Sequence, residues 1–545
     1  MLGQMMRMPL LISALLTHAE RHHGEREIVS RRVEGDLHRY RYCDLGGRSR
    51  QLARALDKLG IRQGDRVGTL AWNGYRHMEL YYAVSGSGAI LHTINPRLHP
   101  DQILWIADHA GDRVLFFDLT FMPLIEQIAG RAKGIEVFVA MCDRDSLPDS
   151  GLVPNLICHE DLIAAEADDF EWPELDENAA STLCYTSGTT GHPKGVLYSH
   201  RSAVLHSLAS AQPDMFNLSA RDAILPVVPM FHVNAWGLPY TACMVGAKLV
   251  FPGPWLDGQS LHRLIEDEGV TMSAGVPTVW QGLLAHVEST GGAFSSMRRT
   301  IIGGAACPPQ MIRSFQDRHD VRVIHAWGMT ELSPLGTVCT PKPGQEGLSG
   351  DAMLALQTKQ GRMPFGIDMK ITGASGKELP HDGAASGELL VRGHWVAGSY
   401  FRQDADGPLQ DGWFPTGDIS TIDADGFMQI TDRSKDLIKS GGEWISSIDL
   451  ENIAAAHPGV ALAACIAVPH PKWDERPVLV LQRQPGAEEV TASQILDLYQ
   501  GKIARWSTPD DVIFIDAMPV GATGKILKAE LRARYRDHDL TSANT

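Results

Sequence analysis

Apolar runs of two kinds alternate along the first third of the chain. Runs typical of buried strands are separated by runs with the 3.6-residue spacing of helices. Such alternation predicts βαβ units with a mostly parallel sheet that helices cover on both faces. The clearest segments are strands at 65–71, 89–93 and 114–117 and helices at 77–84 and 101–109.

The same alternation returns between residues 200 and 330, which predicts a second βα subdomain. Ser199 is the predicted N-cap of one of its helices, and a strand precedes Pro277. Beyond residue 360 the pattern changes, because short strand-like runs such as 427–430 stand among Gly and Asp turns. This change predicts a small β-rich subdomain.

From residue 437, helices and strands alternate once more over about a hundred residues, which is enough for a separate small domain. The short charged segment before it is a predicted hinge. We therefore predict an α/β protein with a large N-terminal domain at 1–432, a hinge at 433–436 and an α+β C-terminal lid domain at 437–545.

Composition narrows the classes of function. The 545 residues are too many for one compact core, and about three to four structural units are expected. With 49 Lys and Arg against 65 Asp and Glu, the net charge is -16, which argues against a nucleic-acid partner.

The cysteines and the N-terminus bear on location. The eight cysteines form no C-x-x-C pair and have no histidine at zinc spacing, so scattered free thiols indicate a reducing, cytoplasmic compartment. The apolar run at 8–16 is too short to span a bilayer and lacks a cleavage site, so it predicts a packed first helix and no transmembrane segment.

The oligomeric state of the protein is left open by the sequence, with a homodimer as one candidate.

The strongest local signal is the loop T-S-G-T-T-G-H-P-K-G at 186–195. Its glycines allow backbone N–H groups to turn toward an anion, its hydroxyls add donors or metal contacts, and Lys194 adds charge. Strand-like runs on both sides predict that the loop closes a hairpin, and Pro193 supports this. A merely flexible turn is the weaker interpretation. The loop is no Walker A motif, because G-x-x-x-x-G-K-[ST] is absent.

This loop resembles the signature of the adenylate-forming superfamily, which includes acyl-CoA synthetases, firefly-type luciferases and peptide-synthetase adenylation domains. Further blocks stand in that family's order over nearly the whole chain: I-G-G-A at 302–305, A-W-G-M-T-E at 326–331, G-W-F-P-T-G-D at 412–418, D-R-S-K-D at 432–436 and G-A-T-G-K at 521–525. The stretches 228–237, 440–446 and 472–477 are most similar to its fatty-acyl-CoA synthetase branch, medium-chain enzymes in particular.

The resemblance implies an ATP-dependent ligase that forms an acyl-adenylate from a medium- or long-chain fatty acid and then transfers the acyl group to coenzyme A. It assigns Mg²⁺ to Glu331 and Thr186, the α-phosphate to Thr330, and the approach to α-phosphate and carboxylate during adenylation to Lys525. The family has a basic residue directly after the proline of the Lys525 block. Val520 stands there in this chain, so its supporting charge is missing.

The same resemblance implies the remaining ATP and AMP contacts. Asp418 is expected to accept hydrogen bonds from the ribose diol, with Arg433 nearby and Lys435 at the hinge. Without the resemblance, Asp418 could equally be a turn residue. The other expected nucleotide residues are Ser187, Gly188, Thr189, Thr190, Gly191, Lys194, Gly304, Ala305, His325, Ala326, Trp327, Gly328 and Trp444.

For the second half-reaction, family members rotate the C-terminal domain about the hinge. Lys439 is then expected to replace Lys525, while Gly441 and Gly442 leave room for the pantetheine arm. The acyl pocket is assigned to His232, Trp236, Val276, Pro277 and Trp280, although a Trp or His in an apolar stretch is more often a core residue.

Four alternatives remain open. The chain could load a carrier protein as a free-standing adenylating enzyme, or it could ligate coenzyme A to aryl or short branched acids. A binding protein on an inactive adenylation fold ranks last, because every charged residue that the chemistry needs is present. Luciferase-type oxidation is not excluded by the motifs but is rare.

Overall fold

The computed structural model describes residues 1, 3–186, 193–403, 407–433, 435–440, 443–521, 525–538 and 540. Within them the strands are β1 Glu27–Arg31, β2 Leu37–Arg41, β3 Arg66–Leu70, β4 Ile90–Thr93, β5 Asp112–Phe117, β6 Val137–Ala140, β7 Leu156–Cys158, β8 Ala180–Tyr185, β9 Gly195–Ser199, β10 Ala223–Pro226, β11 Lys248–Phe251, β12 Met272–Gly275, β13 Arg299–Ile302, β14 Arg322–Gly328, β15 Leu335–Val338, β16 Ile367–Thr372, β17 Ser386–Gly393, β18 Phe414–Ile422, β19 Met428–Arg433, β20 Ile438–Ser440, β21 Glu443–Ile445, β22 Val460–His470, β23 Asp474–Arg483 and β24 Asp511–Ile515.

Some of the described α-helices begin at a residue whose side chain caps them. Ser199, for example, caps its helix by accepting a hydrogen bond from the Ser202 backbone N–H. In the described residues the helices are α1 Ile12–His23, α2 Tyr42–Lys58, α3 Tyr75–Gly86, α4 Pro100–Ala110, α5 Met122–Ile128, α6 His159–Ala164, α7 His200–Ser210, α8 Leu238–Val245, α9 Gly258–Glu268, α10 Pro277–Thr290, α11 Pro309–Arg313, α12 Gly350–Gln357, α13 Ser447–Ala455, α14 Ala492–Asp497 and α15 Lys528–Arg534.

Two large sheets form the N-terminal part. One has seven strands in the order β7-β6-β5-β3-β4-β8-β9, and all neighbours are parallel except β8 and β9. The other has eight strands in the order β15-β14-β13-β12-β10-β11-β1-β2, parallel from β14 to β1 and antiparallel at both edges. The predicted βα subdomains are confirmed.

Helix α3 lies in the core, because every one of its residues is buried. Its apolar side chains belong to one hydrophobic cluster with residues of both large sheets, so the sheets pack as one body around it. The carboxyl ends of parallel strands are where α/β proteins place ligand sites, and here they bring the signature loops together.

The remaining two sheets follow the predicted change of pattern. Strands β16 to β19 form a four-stranded antiparallel sheet, which confirms the β-rich subdomain. Strands β20 to β24 form a five-stranded sheet that packs with α13 and α15 in the small C-terminal part. The exact division at 1–432, 433–436 and 437–545 stays a prediction.

Two further sequence expectations concern location. All eight cysteines are free thiols, seven of them buried and Cys43 partly exposed. Across the described part of the chain, none of the helices combines the length and the apolar content that crossing a membrane requires.

Candidate functional site

The signature loop closes a β8–β9 hairpin, as predicted. Tyr185 and Gly195 are paired at its base, and the Thr186 backbone N–H donates to the Lys194 carbonyl at 2.9 Å. The Lys194 N–H in turn donates to the Thr186 hydroxyl at 3.2 Å. These bonds hold the two ends of the loop together. Five predicted phosphate contacts lie outside the described residues: Ser187, Gly188, Thr189, Thr190 and Gly191.

Glu331 lies on a short 3₁₀ turn just beyond β14 and is only 6% exposed. The Tyr400 hydroxyl donates to its Oε1 atom at 2.8 Å. Burial raises the pKa of Glu331, while Tyr400, Lys194 and Lys525 oppose that rise. The neighbouring Thr330 is also buried, and its carbonyl accepts a hydrogen bond from the Tyr198 hydroxyl at 2.6 Å.

The oxygens of Glu331 and Thr186 are ligands that Mg²⁺ prefers. Among the described residues no group of three or more His, Cys, Asp or Glu side chains could hold a metal ion. One buried carboxylate and a hydroxyl therefore suit a metal that takes its other ligands from phosphates and water. In this respect the residues fit Mg²⁺ bound together with a nucleotide.

Asp418 lies in β18 directly opposite Arg433 in β19 and is 8% exposed. The Trp327 indole N–H donates to its Oδ2 atom at 2.9 Å, and the Arg433 Nε atom lies 3.7 Å from its Oδ1 atom. Burial raises the pKa of Asp418, and Arg433 and Trp327 counteract this. The result is an oriented carboxylate of the kind that binds a diol.

The end of β14 and the loop after β13 form the surface beside this carboxylate. His325 to Gly328 belong to β14 itself, and the buried His325 ring accepts a hydrogen bond from the Cys307 N–H at 3.3 Å. Burial lowers the pKa of His325 to about 4, so the ring is neutral at pH 7. Gly304 has φ 79°, a left-handed conformation that a glycine adopts without strain, and Ala305 follows it.

Lys525 reaches this site from the C-terminal part of the chain. It directly precedes Ile526, which forms a short bridge with Val520, and its carbonyl accepts from the Gly521 N–H at 2.7 Å. Its Cε atom is 3.8 Å from the position that a Cβ atom on Gly304 would take. Burial lowers the pKa of Lys525 to about 8; Arg433 adds to this effect, and Asp418 and Glu331 oppose it.

Lys439 lies elsewhere. It is an exposed residue of β20, and its backbone N–H donates to Glu475 Oε2 at 2.8 Å. Its strand partner is Trp444 in β21. Lys435 is an exposed residue of the predicted hinge, but partial desolvation of its ammonium and the nearby charge of Arg433 lower its pKa. Gly441 and Gly442 lie outside the described residues.

The predicted acyl segment has an unusual backbone. Four successive residues from Val233 to Trp236 have φ between 43° and 57°, a left-handed turn that is costly for residues other than glycine. The turn directs Trp236 toward Gly303, since a Cβ atom there would lie 3.1 Å from its Cη2 atom. Beside this turn, burial and Lys525 lower the pKa of His232 to about 4.

A mostly apolar cavity that is partly open to solvent lies next to this segment. Val276 lines it with Val228, Phe231 and Val279. Pro277 is half-buried at the start of α10. Trp280, by contrast, is fully buried and packs on Phe315, behind the cavity and in the core; its assignment to the acyl pocket stays a prediction.

Sequence reasoning missed Tyr400 and Tyr198, which bond to Glu331 and Thr330. Tyr400 lies 69 residues after Glu331, and Tyr198 lies 132 residues before Thr330. No local spacing signals such contacts, because they arise only when the sheets pack.

Two family models match the chain: the AMP-binding enzyme model at residues 15–401 and the AMP-binding enzyme C-terminal domain model at residues 449–525. The chain is 54% identical to a 3-methylmercaptopropionyl-CoA ligase of Ruegeria lacuscaerulensis over 98% of its own length and 99% of that protein. It is also 54% identical to a medium-chain-fatty-acid–CoA ligase of Ectopseudomonas oleovorans, over 100% of both. The solved structure of an anthranilate CoA ligase with anthranoyl-AMP shares the fold, with a TM-score of 0.86 at 24% identity over 98% of this chain and 99% of that one.

Proposed function

This chain belongs to the AMP-binding enzyme family, and we propose that it is an ATP-dependent acyl-CoA ligase whose acid is a medium- or long-chain fatty acid. In the first half-reaction a carboxylate oxygen attacks the α-phosphorus of ATP and pyrophosphate leaves. In the second, the sulfur of coenzyme A attacks the acyl carbon, the thiol proton is released, and AMP leaves.

The observation that carries this proposal is that Lys525, beside Gly304, interacts electrostatically with both Asp418 and Glu331, although the three residues come from separate parts of the sequence. A carboxylate and a triphosphate repel each other, so adenylation needs fixed positive charge at the α-phosphate. We assign that role to Lys525, with Thr330 as a further donor. Asp418 and Arg433 hold the ribose, and Trp327 keeps the Asp418 carboxylate oriented.

Glu331 and Thr186 would hold Mg²⁺, which supplies charge neutralisation on the phosphate oxygens when bound. For the second half-reaction we assign Lys439, Gly441 and Gly442, brought to the site by rotation of the C-terminal part about residues 433–436. The exposed position of Lys439 is consistent with a residue that acts only after such a movement.

The acid is proposed on two grounds. The cavity beside Val276 is lined mainly by apolar side chains, together with Arg97 and Asn73, so most of its wall suits a flexible carbon chain. An alkyl chain and the pantetheine arm of coenzyme A are both flexible chains. In addition, one of the two relatives at 54% identity is named for medium-chain fatty acids. The other is named for 3-methylmercaptopropionate, a short thioether acid, which makes it the second candidate.

The test is a coenzyme-A-dependent assay over straight-chain acids from C2 to C18, with 3-methylmercaptopropionate, phenylacetate and cinnamate. At about 0.8 kcal/mol per buried methylene, kcat/KM should rise about fourfold per carbon until the cavity is filled. A maximum at 3-methylmercaptopropionate or at an aryl acid would overturn the fatty-acid assignment. Acyl-AMP formation without thioester formation would favour a carrier protein as acceptor.

We also propose a cytoplasmic location, which the eight free thiols support. A homodimer stays a prediction.

A further inference from the structure

Tyr400 contacts two charged groups of the site at once. On the basis of the proposed function, we infer that Tyr400 is a positioning residue for adenylation: its hydroxyl orients the Glu331 carboxylate and its ring holds the Lys194 ammonium group. The sequence motifs assign it no role.

The hydroxyl contact is a charge-assisted hydrogen bond. The Tyr400 hydroxyl donates to Glu331 Oε1 at 2.8 Å. Glu331 is nearly buried, and turning its carboxylate would break this bond where water replaces it poorly. The bond therefore fixes the direction of the oxygens that we assign to the metal.

The ring contact is a cation–π interaction. The Lys194 Nζ atom lies 4.6 Å from the centroid of the Tyr400 ring. Lys194 is otherwise an exposed residue at the end of the signature loop, and a long exposed side chain has many rotamers of similar energy. Attraction to the ring restricts those rotamers and keeps the charge beside Glu331.

The backbone fixes Tyr400 relative to the same two groups. The Ala397 N–H donates to the Glu331 carbonyl at 2.7 Å, and the Phe401 N–H donates to the Gly195 carbonyl at 2.8 Å. The segment 397–401 is thus bonded on one side to the turn that carries Glu331 and on the other to the residue after Lys194. Packing of the Tyr400 ring against Phe414, at 6.2 Å between centroids, completes the placement.

A purely packing role is the competing explanation, since the ring also touches apolar neighbours. Tyr400→Phe separates the two, because it keeps the ring and removes only the hydroxyl. Tyr400→Leu removes both contacts. Tyr42→Phe is the matched control: its hydroxyl also donates one hydrogen bond, to the Ala247 carbonyl at 2.6 Å, in the buried core.

Three measurements test the inference on the full chain: acid-dependent exchange of pyrophosphate into ATP, thioester formation from supplied acyl-AMP, and Mn²⁺ affinity by electron paramagnetic resonance in the presence of a non-hydrolysable ATP analogue. Tyr400→Phe should lower kcat of exchange and weaken Mn²⁺ binding, each about tenfold, while KM for the acid stays unchanged. Tyr400→Leu should also raise KM for ATP about threefold. Thioester formation should match the wild type in both.

Wild-type values for Tyr400→Phe in exchange and Mn²⁺ binding would overturn the inference. So would equal losses in both half-reactions, or the same losses in Tyr42→Phe, since these would indicate a structural effect. Thermal melting of each variant shows whether it is folded. Failure of the wild type to exchange pyrophosphate with any acid would instead contradict the proposed function, so the two failures are distinguishable.

Discussion

The two lysines to which we assign the two half-reactions lie in contrasting surroundings within the same C-terminal part. Lys525 is near Gly304, Asp418 and Glu331, and burial lowers its pKa to about 8. Lys439 is exposed on β20, where its backbone N–H donates to the Glu475 carboxylate. One lysine is at the site and the other is not.

This difference indicates which half-reaction the structure represents. A hydrogen bond from the Gln281 side chain to the Ala461 carbonyl, 2.9 Å long, joins α10 to β22 while Lys525 is in the site. The arrangement suits adenylation, since positive charge lies where the α-phosphate is expected. For thioester formation we propose a different arrangement, in which Lys439 approaches the site and Lys525 departs.

Replacing Lys525 should have the largest effect. Lys525→Ala is expected to reduce acyl-AMP formation about 10³-fold, because it removes the ammonium group that would stabilise the negative charge developing at the α-phosphate. Thioester formation from supplied acyl-AMP should be unchanged. Both are measured in single-turnover experiments on each half-reaction.

Lys502→Ala is the matched control for Lys525→Ala, because Lys502 is an exposed lysine of the same C-terminal part. It should behave as the wild type in both half-reactions. Equal loss of the two half-reactions in Lys525→Ala would contradict the division of labour between the lysines.

Replacing Lys439 should give the opposite result with a smaller effect. Lys439→Ala is expected to slow thioester formation about 10²-fold, because its ammonium would no longer help to place the thiol and the adenylate. Acyl-AMP formation should stay at the wild-type rate, since Lys439 is exposed and away from the site in the adenylation arrangement. A loss of adenylation in Lys439→Ala would contradict the proposal that Lys439 acts only in thioester formation.

Much of the fold and of the candidate site could be predicted from the sequence. Helical and strand periodicity predicted the two βα subdomains and the β-rich subdomain, because these patterns depend on local burial. The hairpin at Thr186 and Lys194 followed from strand-like runs on both sides of a glycine-rich loop. Lys525, Asp418 and Glu331 were found through motifs, and the structure brings them together.

Other features depend on packing between distant segments. Tyr400 meets Glu331 only because segment 397–401 runs between β9 and the turn after β14. The left-handed turn at Val233 to Trp236 has no sequence signal either, because only surrounding structure stabilises such backbone in residues other than glycine. The full burial of Trp280 likewise depends on which face of α10 meets the core.

The pH dependence of the two half-reactions tests the contrast between Lys525 and Lys439 further. Its expected effect on the rates is the smallest of those predicted here. With a pKa of about 8, Lys525 is charged below that pH and loses its proton above it, so kcat/KM for ATP in the exchange reaction should fall. Only about one molecule in eleven carries the charge at pH 9, an approximately tenfold loss. Thioester formation from supplied acyl-AMP should not fall there, because a rising fraction of thiolate favours attack.

The control for this prediction is Lys525→Arg, because a guanidinium stays charged throughout the range. Its exchange rate should be lower than that of the wild type, since the arginine differs in shape, but it should not decline between pH 8 and pH 9. A decline of the same size in Lys525→Arg would assign the alkaline limb to another group. Persistence of the wild-type rate at pH 9 would mean that the Lys525 ammonium stays charged well above pH 8, so that the two lysines would differ in position but not in acidity.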